Sequence, residues 1–355
     1  MSDTPHNSQQ KWHALYTAGA VGVVLLFVFL FAQLFHLFLI IFGAVLVGVC
    51  LQGLTARISR HSHLPWKPSL AVALLVVFAL LAGFAVFAGP QIVGQTTALF
   101  DRIPADVQRL KTLISKYSWG QTLLDRIPPL TQIVPAQENF VGRISGIFST
   151  ALGTATNVVL VFVIGVYLAA SPGIYKGGLL HLIPPDYRER GEHVIGSLAN
   201  ALHWWLVGRF TSMAVVGILT IASLWIIGMP LPLALGFIAS VLSFIPYIGP
   251  VFASIPAVLI GLSQAPLMGL YVLLIYATIE MLEGYVITPL IQRRAVSLPP
   301  ALLLIAQLFM GVLFGFVGLL LATPLTVTTI VLIQTLYVQN VLADNVEVLG
   351  EHRGW

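Results

Sequence analysis

The stretch Phe244-Ile-Pro-Tyr-Ile-Gly-Pro-Val-Phe-Ala-Ser-Ile-Pro256 decides how this chain is read. It is apolar enough for a membrane, yet Pro246, Pro250 and Pro256 each remove a backbone donor, and Gly249 opens φ values closed to other residues. In lipid, backbone groups freed this way must be satisfied by protein or by a wetted cavity. The stretch therefore predicts a helix that breaks inside a protein-lined space. Downstream, the apolar run 266–290 carries two carboxylates, Glu280 and Glu283, and ends in Thr288-Pro289. A broken helix beside carboxylates at membrane depth is the sequence mark of a solute- or ion-binding site. The candidate binding residues are Glu283, Glu280, Pro246, Gly249, Pro250, Pro256, Thr288 and Pro289.

Composition sets the class. Of 355 residues, 58% are hydrophobic and 8% charged, and the mean hydropathy is +0.94. Soluble domains carry about 25% charged residues, so the fold class is an all-α polytopic membrane protein, with the lipid bilayer as its solvent. The net charge of +4 and pI near 9.3 do not point to nucleic acid, because the Lys and Arg lie between apolar runs, where they orient a membrane protein. Cys50 is the single cysteine, which leaves no intrachain disulfide. The N-terminus lacks the basic region and cleavage site of a signal peptide, so the first span is expected to stay as an anchor.

About eight hydrophobic helical segments follow, two of them broken hairpins. Residues 14–54 are nearly uncharged and twice the length of a span, which predicts two helices parted near Gln33–His36. With 69–93 they make an N-terminal unit, 1–93. Region 94–146 mixes charges with Leu99, Ile103, Val107, Leu110, Leu113, Ile114 and Tyr117 at three- and four-residue steps, the pattern of extramembrane amphipathic helices. A membrane core, 147–338, contains a polar helical loop at 171–208, a span at 210–228, the broken segment 233–262, the Glu-bearing helix and a run at 300–338. That last run is too long for one straight span, is interrupted at Thr323-Pro324, and is read as a second hairpin or re-entrant pair. Residues 339–355 form a polar tail. If both broken segments turn back, one side receives the N-tail, 55–68, 171–209, 292–298 and the C-tail. That side holds eleven of the 17 Lys and Arg, which makes it cytoplasmic and puts both termini there.

Glu280 and Glu283 are three apart and share a helix face. Desolvation favours the neutral form of a carboxylate, so Glu283 is expected to titrate and couple cargo to protons or sodium, with Glu280 sharing the ion or holding it in place. No phosphate loop, His-Glu-x-x-His or Gly-x-Ser-x-Gly pattern occurs, and His61-Ser-His63 has no further metal ligand nearby. No catalytic residue, metal or cofactor is expected, and an enzyme is disfavoured. A passive pore would need a polar lining stripe, which the sequence does not display.

Phe244–Pro256, with Glu283-Gly284-Tyr-Val-Ile-Thr-Pro289, Leu298-Pro299 and Gly315-Phe-Val-Gly318-Leu-Leu-Leu-Ala-Thr-Pro324, resembles the autoinducer-2 exporter family of bacterial membrane permeases. The motifs cover the C-terminal third, while the rest matches in layout. Between Pro289 and Ala295 the chain reads Leu-Ile-Gln-Arg-Arg, a departure from the family's pattern. The resemblance implies helical spans with two re-entrant hairpins in the cytoplasmic (inner) membrane, and a homo-oligomer, pentameric in the family. It also implies secondary transport of a small solute such as a signalling molecule. Cation/proton antiport and a passive oligomeric channel are the alternatives.

Overall fold

A computed structural model describes residues 6–115, 156–287, 298–339 and 341–342. All its regular elements are helices. In chain order they are α1 (His6–Ser62), α2 (Trp66–Phe87), α3 (Gly89–Ile114), α4 (Thr156–Ala170), α5 (Pro172–His181), α6 (Arg188–Ile226), α7 (Pro232–Leu242), α8 (Ile248–Gln264), α9 (Pro266–Leu282) and α10 (Pro300–Leu332). Helix α9 runs on into a π turn, Glu283–Ile287, and α10 into another, Ile333–Val338. Among the described residues five segments are long and apolar enough to cross a membrane, six if the bent pair α4–α5 counts as one.

Two expected boundaries move. The break near Gln33–His36 is absent, and α1 is continuous through it: neither Pro nor Gly stands there, and polar Gln33 and His36 alone do not remove a helical hydrogen bond. The polar stretch from Arg188 and the following span are likewise one helix, α6. At the start of the polar region the bend is real: α5 leaves α4 at 86°, with Pro172 in the first turn after Ser171. The indole Nε1 of Trp66 donates to the Ala169 carbonyl at 2.9 Å and the Gln52 amide to that of Leu168 at 3.2 Å, tying α1 and α2 to the end of α4. Glycines let these helices touch: a Cβ on Gly165 would lie 2.7 Å from Val47 and one on Gly53 2.0 Å from His203, the small-residue packing that substitutes for a hydrophobic driving force in lipid.

The broken segment is a helical hairpin packed antiparallel on α6. Gly236 of α7 meets Gly217 and Ile221, and Ser240 Oγ donates to the Met213 carbonyl at 2.9 Å. The return arm α8 brings the Gln264 amide to the sulfur of Met229, 3.7 Å away, so both open ends lie at the C-terminal end of α6. At the tip the Ile248 N–H donates to the Pro246 carbonyl at 2.7 Å across Tyr247, whose φ of 63° and ψ of −51° make the rare, strained positive-φ γ-turn. Gly249 sits so close to the end of α7 that a Cβ would fall 1.8 Å from the Leu242 carbonyl oxygen. Pro246 is thus in the break, with Gly249 and Pro250 in the first turn of α8. Pro256 lies inside α8, where it bends a helix and does not end one.

Helix α10 also folds in two. Gln307 Nε2 donates to Thr323 Oγ1 at 3.4 Å over a separation of 16 residues, a span of about 24 Å in a straight helix. The reversal is at Gly315, with φ of 63° and ψ of −146°. The expected interruption at Thr323-Pro324 is instead helical, because Gly315 absorbs the turn at a φ that only glycine adopts cheaply. This hairpin points the other way. Its tip stacks Phe314 on Phe35 of α1 at 4.0 Å. Its second arm brings Thr328 to a cavity of about 600 Å³ shared with Val49, Gln52, Leu198 and Leu202, on the side where α6 begins. The two hairpins therefore enter the bundle from opposite ends of α6. One core joins Phe42, Leu46 and Val49 of α1 with Leu202, Trp205 and Leu206 of α6 and with Leu321, Val327 and Val331. A second seats α7, α8 and α9 on Val216 and Leu224.

Amphipathic α3 begins at Gly89, before the expected boundary at 94. The side chain of Gln95 accepts from the backbone N–H groups of Leu233 at 2.9 Å and Ala234 at 3.1 Å, capping α7, while Leu99 and Ile103 pack on the first hairpin. Residues 116–146 of the expected extramembrane region, the first residues of the expected membrane core (147–155), and the tail from 343 lie outside the described residues.

Candidate functional site

The α7–α8 hairpin ends beside the middle of α6, and there the bundle buries charge. Arg209 of α6 is 9% exposed and Glu283, at the start of the π turn, 5%. Arg209 Nη1 donates to Glu283 Oε1 at 2.9 Å, and Ser212, one turn further along α6, donates to the same oxygen. Arg209 Nε donates to the Phe244 carbonyl at 3.0 Å. One guanidinium thus joins three elements: α6, the end of α9 and the hairpin tip. Phe244 is wedged by Trp205, edge-on at 5.6 Å, and by Phe210 at 6.5 Å.

Each partner is needed for a physical reason. Residue 244 follows the last turn of α7, where backbone carbonyls have no partner inside the helix and a cation is favoured by the helix dipole. Desolvating Arg209 is affordable only with a counter-charge and donors well placed, which Glu283 and the tip provide. The π turn widens the backbone at Glu283, a distortion common at functional sites.

The third guanidinium nitrogen, Nη2 of Arg209, is buried with no hydrogen-bond partner among the described residues. Glu280, one turn before Glu283, is half-buried, and it makes no hydrogen bond or ion pair among the described residues although the guanidinium and Tyr247 lie within its electrostatic reach.

The structure thus brings Glu283, Glu280, Pro246, Gly249 and Pro250 around one hairpin tip, and sets Pro256 two turns along α8. Thr288 and Pro289 lie outside the described residues, as do Arg293 and Arg294. Sequence reasoning missed Arg209 and Ser212. Arg209 had been counted among the charges of the cytoplasmic loop, one residue before the span expected at 210. The available signal was its place in α6: seventeen residues of α6 follow it, none of them charged, so it stands on the helix of the span itself and not in a loop before it. Among the described residues no group of His, Cys, Asp and Glu could hold a metal ion.

Apolar helices enclosing two opposed hairpins, one of them latched by a buried ion pair, have the build of a multi-pass membrane transporter. The chain belongs to the family described as AI-2E family transporters, whose family model matches residues 20–338. It is 27% identical to YrrI of Bacillus subtilis over 81% of this chain and 84% of that one. It is 30% identical to MT0215 of Mycobacterium tuberculosis over 79% of each; both are named putative transport proteins. TqsA of Escherichia coli, named an AI-2 transport protein, is 30% identical over 39% of this chain and 40% of its own.

Proposed function

We propose that the protein is an ion-coupled secondary transporter that exports a small solute such as a signalling molecule across a bacterial cytoplasmic membrane. The observation that carries the reading is Arg209 bridging Glu283 and the carbonyl at the hairpin tip. A buried pair that holds a strained tip in place gives two arrangements, latched and released, and alternating access needs two states with differential contacts. The name of TqsA supports the cargo class. Exchange of cations against protons by the same carboxylates is the second reading, favoured by Glu280 having no hydrogen-bond or ion-pair partner among the described residues.

In this proposal the end of α6 near Arg188 faces the cytoplasm with both termini. The α7–α8 hairpin enters from outside and the Gly315 hairpin from inside. The protein works as a homo-oligomer. Reconstitution tests the function: labelled autoinducer-2 should exchange with unlabelled solute across proteoliposomes and accumulate when a proton or sodium gradient is imposed. Gradient-independent leak without counterflow would refute alternating access and leave a passive channel.

A further inference from the structure

We infer that Glu280, and not Glu283, is the carboxylate that loads and releases the coupling proton, and that the vacant Nη2 of Arg209 is where it docks once ionised. The inference rests on the proposed transport reading, but its test does not depend on the cargo.

Glu283 is committed. It accepts from Arg209 and from Ser212, and it is the counter-charge that a buried guanidinium requires. Glu280 carries no such commitment. It stands three residues earlier on the same helix face, half-buried, with no hydrogen bond among the described residues. Among the described residues, the charged and titratable groups facing it are Arg209 from α6, Tyr247 from the hairpin tip and Glu283 from its own helix.

The second observation is independent of the acids. A buried N–H group with nothing to donate to is costly and needs a reason, and among the described residues Nη2 of Arg209 is such a group. Arg209 bonds Glu283 through Nη1 and the Phe244 carbonyl through Nε, so a guanidinium built for planar, paired recognition has one position open, and Glu280 lies within electrostatic reach of it.

Two states follow. With Glu280 protonated, Arg209 is neutralised by Glu283 alone and holds the hairpin tip. When Glu280 gives its proton to water on the open side, its carboxylate takes the Nη2 N–H. Arg209 then bridges two carboxylates, and its hold on the Phe244 carbonyl weakens. The strained γ-turn at Tyr247 is released from that side. The proton is the only species transferred.

Infrared difference spectra of the whole protein in lipid, recorded between acid and alkaline pH, read this directly through the C=O stretch of a protonated carboxyl. A titrating carboxyl band present in the wild type and lost in Glu280→Gln is expected, while Ser212→Ala, which perturbs Glu283, should leave the band in place. In proteoliposomes with labelled autoinducer-2, the ratio of uptake with an imposed pH gradient to uptake without one should fall to about one in Glu280→Gln. A titrating band that survives Glu280→Gln overturns the inference, as does gradient-stimulated uptake at the wild-type level. Absence of any autoinducer-2 exchange in the wild type would refute the cargo proposed above, while the infrared result still decides the role of Glu280.

Discussion

Removing one member of the Arg209–Glu283 pair should do far more damage than removing both. Arg209→Gln leaves a buried carboxylate and Glu283→Gln a buried guanidinium, each with its counter-charge gone from a site where the pair is 9% and 5% exposed. Breaking such a pair costs about 3–5 kcal/mol, whereas replacing both charges is close to neutral. Each single variant should therefore lose about two to three and a half powers of ten in its folding equilibrium, at 1.4 kcal/mol per tenfold. The double variant should recover most of it, giving a coupling energy of at least about 3 kcal/mol. The assay is a double-mutant cycle in mixed micelles, unfolding the purified protein with a denaturing detergent and following helix content. A double variant as damaged as the two singles combined would refute the reading, since independent sites add to within about 0.5 kcal/mol. For the same reason Glu283→Gln alone is a poor probe of coupling: it unbalances Arg209 before it tests the proton.

Other outcomes follow from the hairpins. Gly249→Ala and Gly318→Ala put a Cβ 1.8 Å from the Leu242 carbonyl oxygen and 2.2 Å from that of Met310, so both should cost at least the ~1–3 kcal/mol of an overpacked core. Gly284→Ala, with nothing among the described residues within 4 Å, should be silent in the same unfolding assay. In a Cys50→Ser background, cysteines at Gln307 and Thr323 should cross-link with a short bismaleimide, as should a pair at Met229 and Gln264; failure at both would undo the hairpins. Gln95→Ala uncaps α7 and should destabilise by about 1 kcal/mol, the usual worth of a capping side chain, with faster amide exchange at Leu233 and Ala234. Cysteines at Pro230 and Gln264 should be labelled from the same side of the membrane; labelling from opposite sides would turn the hairpin into a full crossing. Native mass spectrometry in detergent should show a homo-oligomer, and a lone monomer would count against the assembly.

Much of the architecture was legible because backbone chemistry is local. Pro246, Gly249 and Pro250 announce a break wherever the chain later packs, and the acids at 280 and 283 share a face by helix geometry alone. The second turn was harder: Thr323-Pro324 looked like the interruption because proline is the louder signal, while Gly315, one glycine in a run of apolar residues, takes the positive φ. Arg209 was hidden by a boundary. A single positive charge next to a span reads as an anchor, and only the continuity of α6 shows that it sits at the middle. Ser212 had no signal of its own, since its meaning depends on Glu283 arriving 71 residues later.

That separation has a consequence for how the protein is made. Arg209 and Glu283 are 74 residues apart, and ribosomes add about 5–20 residues per second, so α6 exists for roughly 4–15 s before its counter-charge has been synthesised. An arginine carried on a lone membrane helix must reach for the interface or stay without a counter-charge, and for that interval Glu283 is not there to pair with it. The intervening arms, α7 and α8, have 11 and 17 residues, short of the ~20 a stable span requires, so neither can anchor itself while waiting. The order of synthesis therefore makes α6 a provisional passenger in the membrane, secured only when α9 follows it in and the hairpin closes between them.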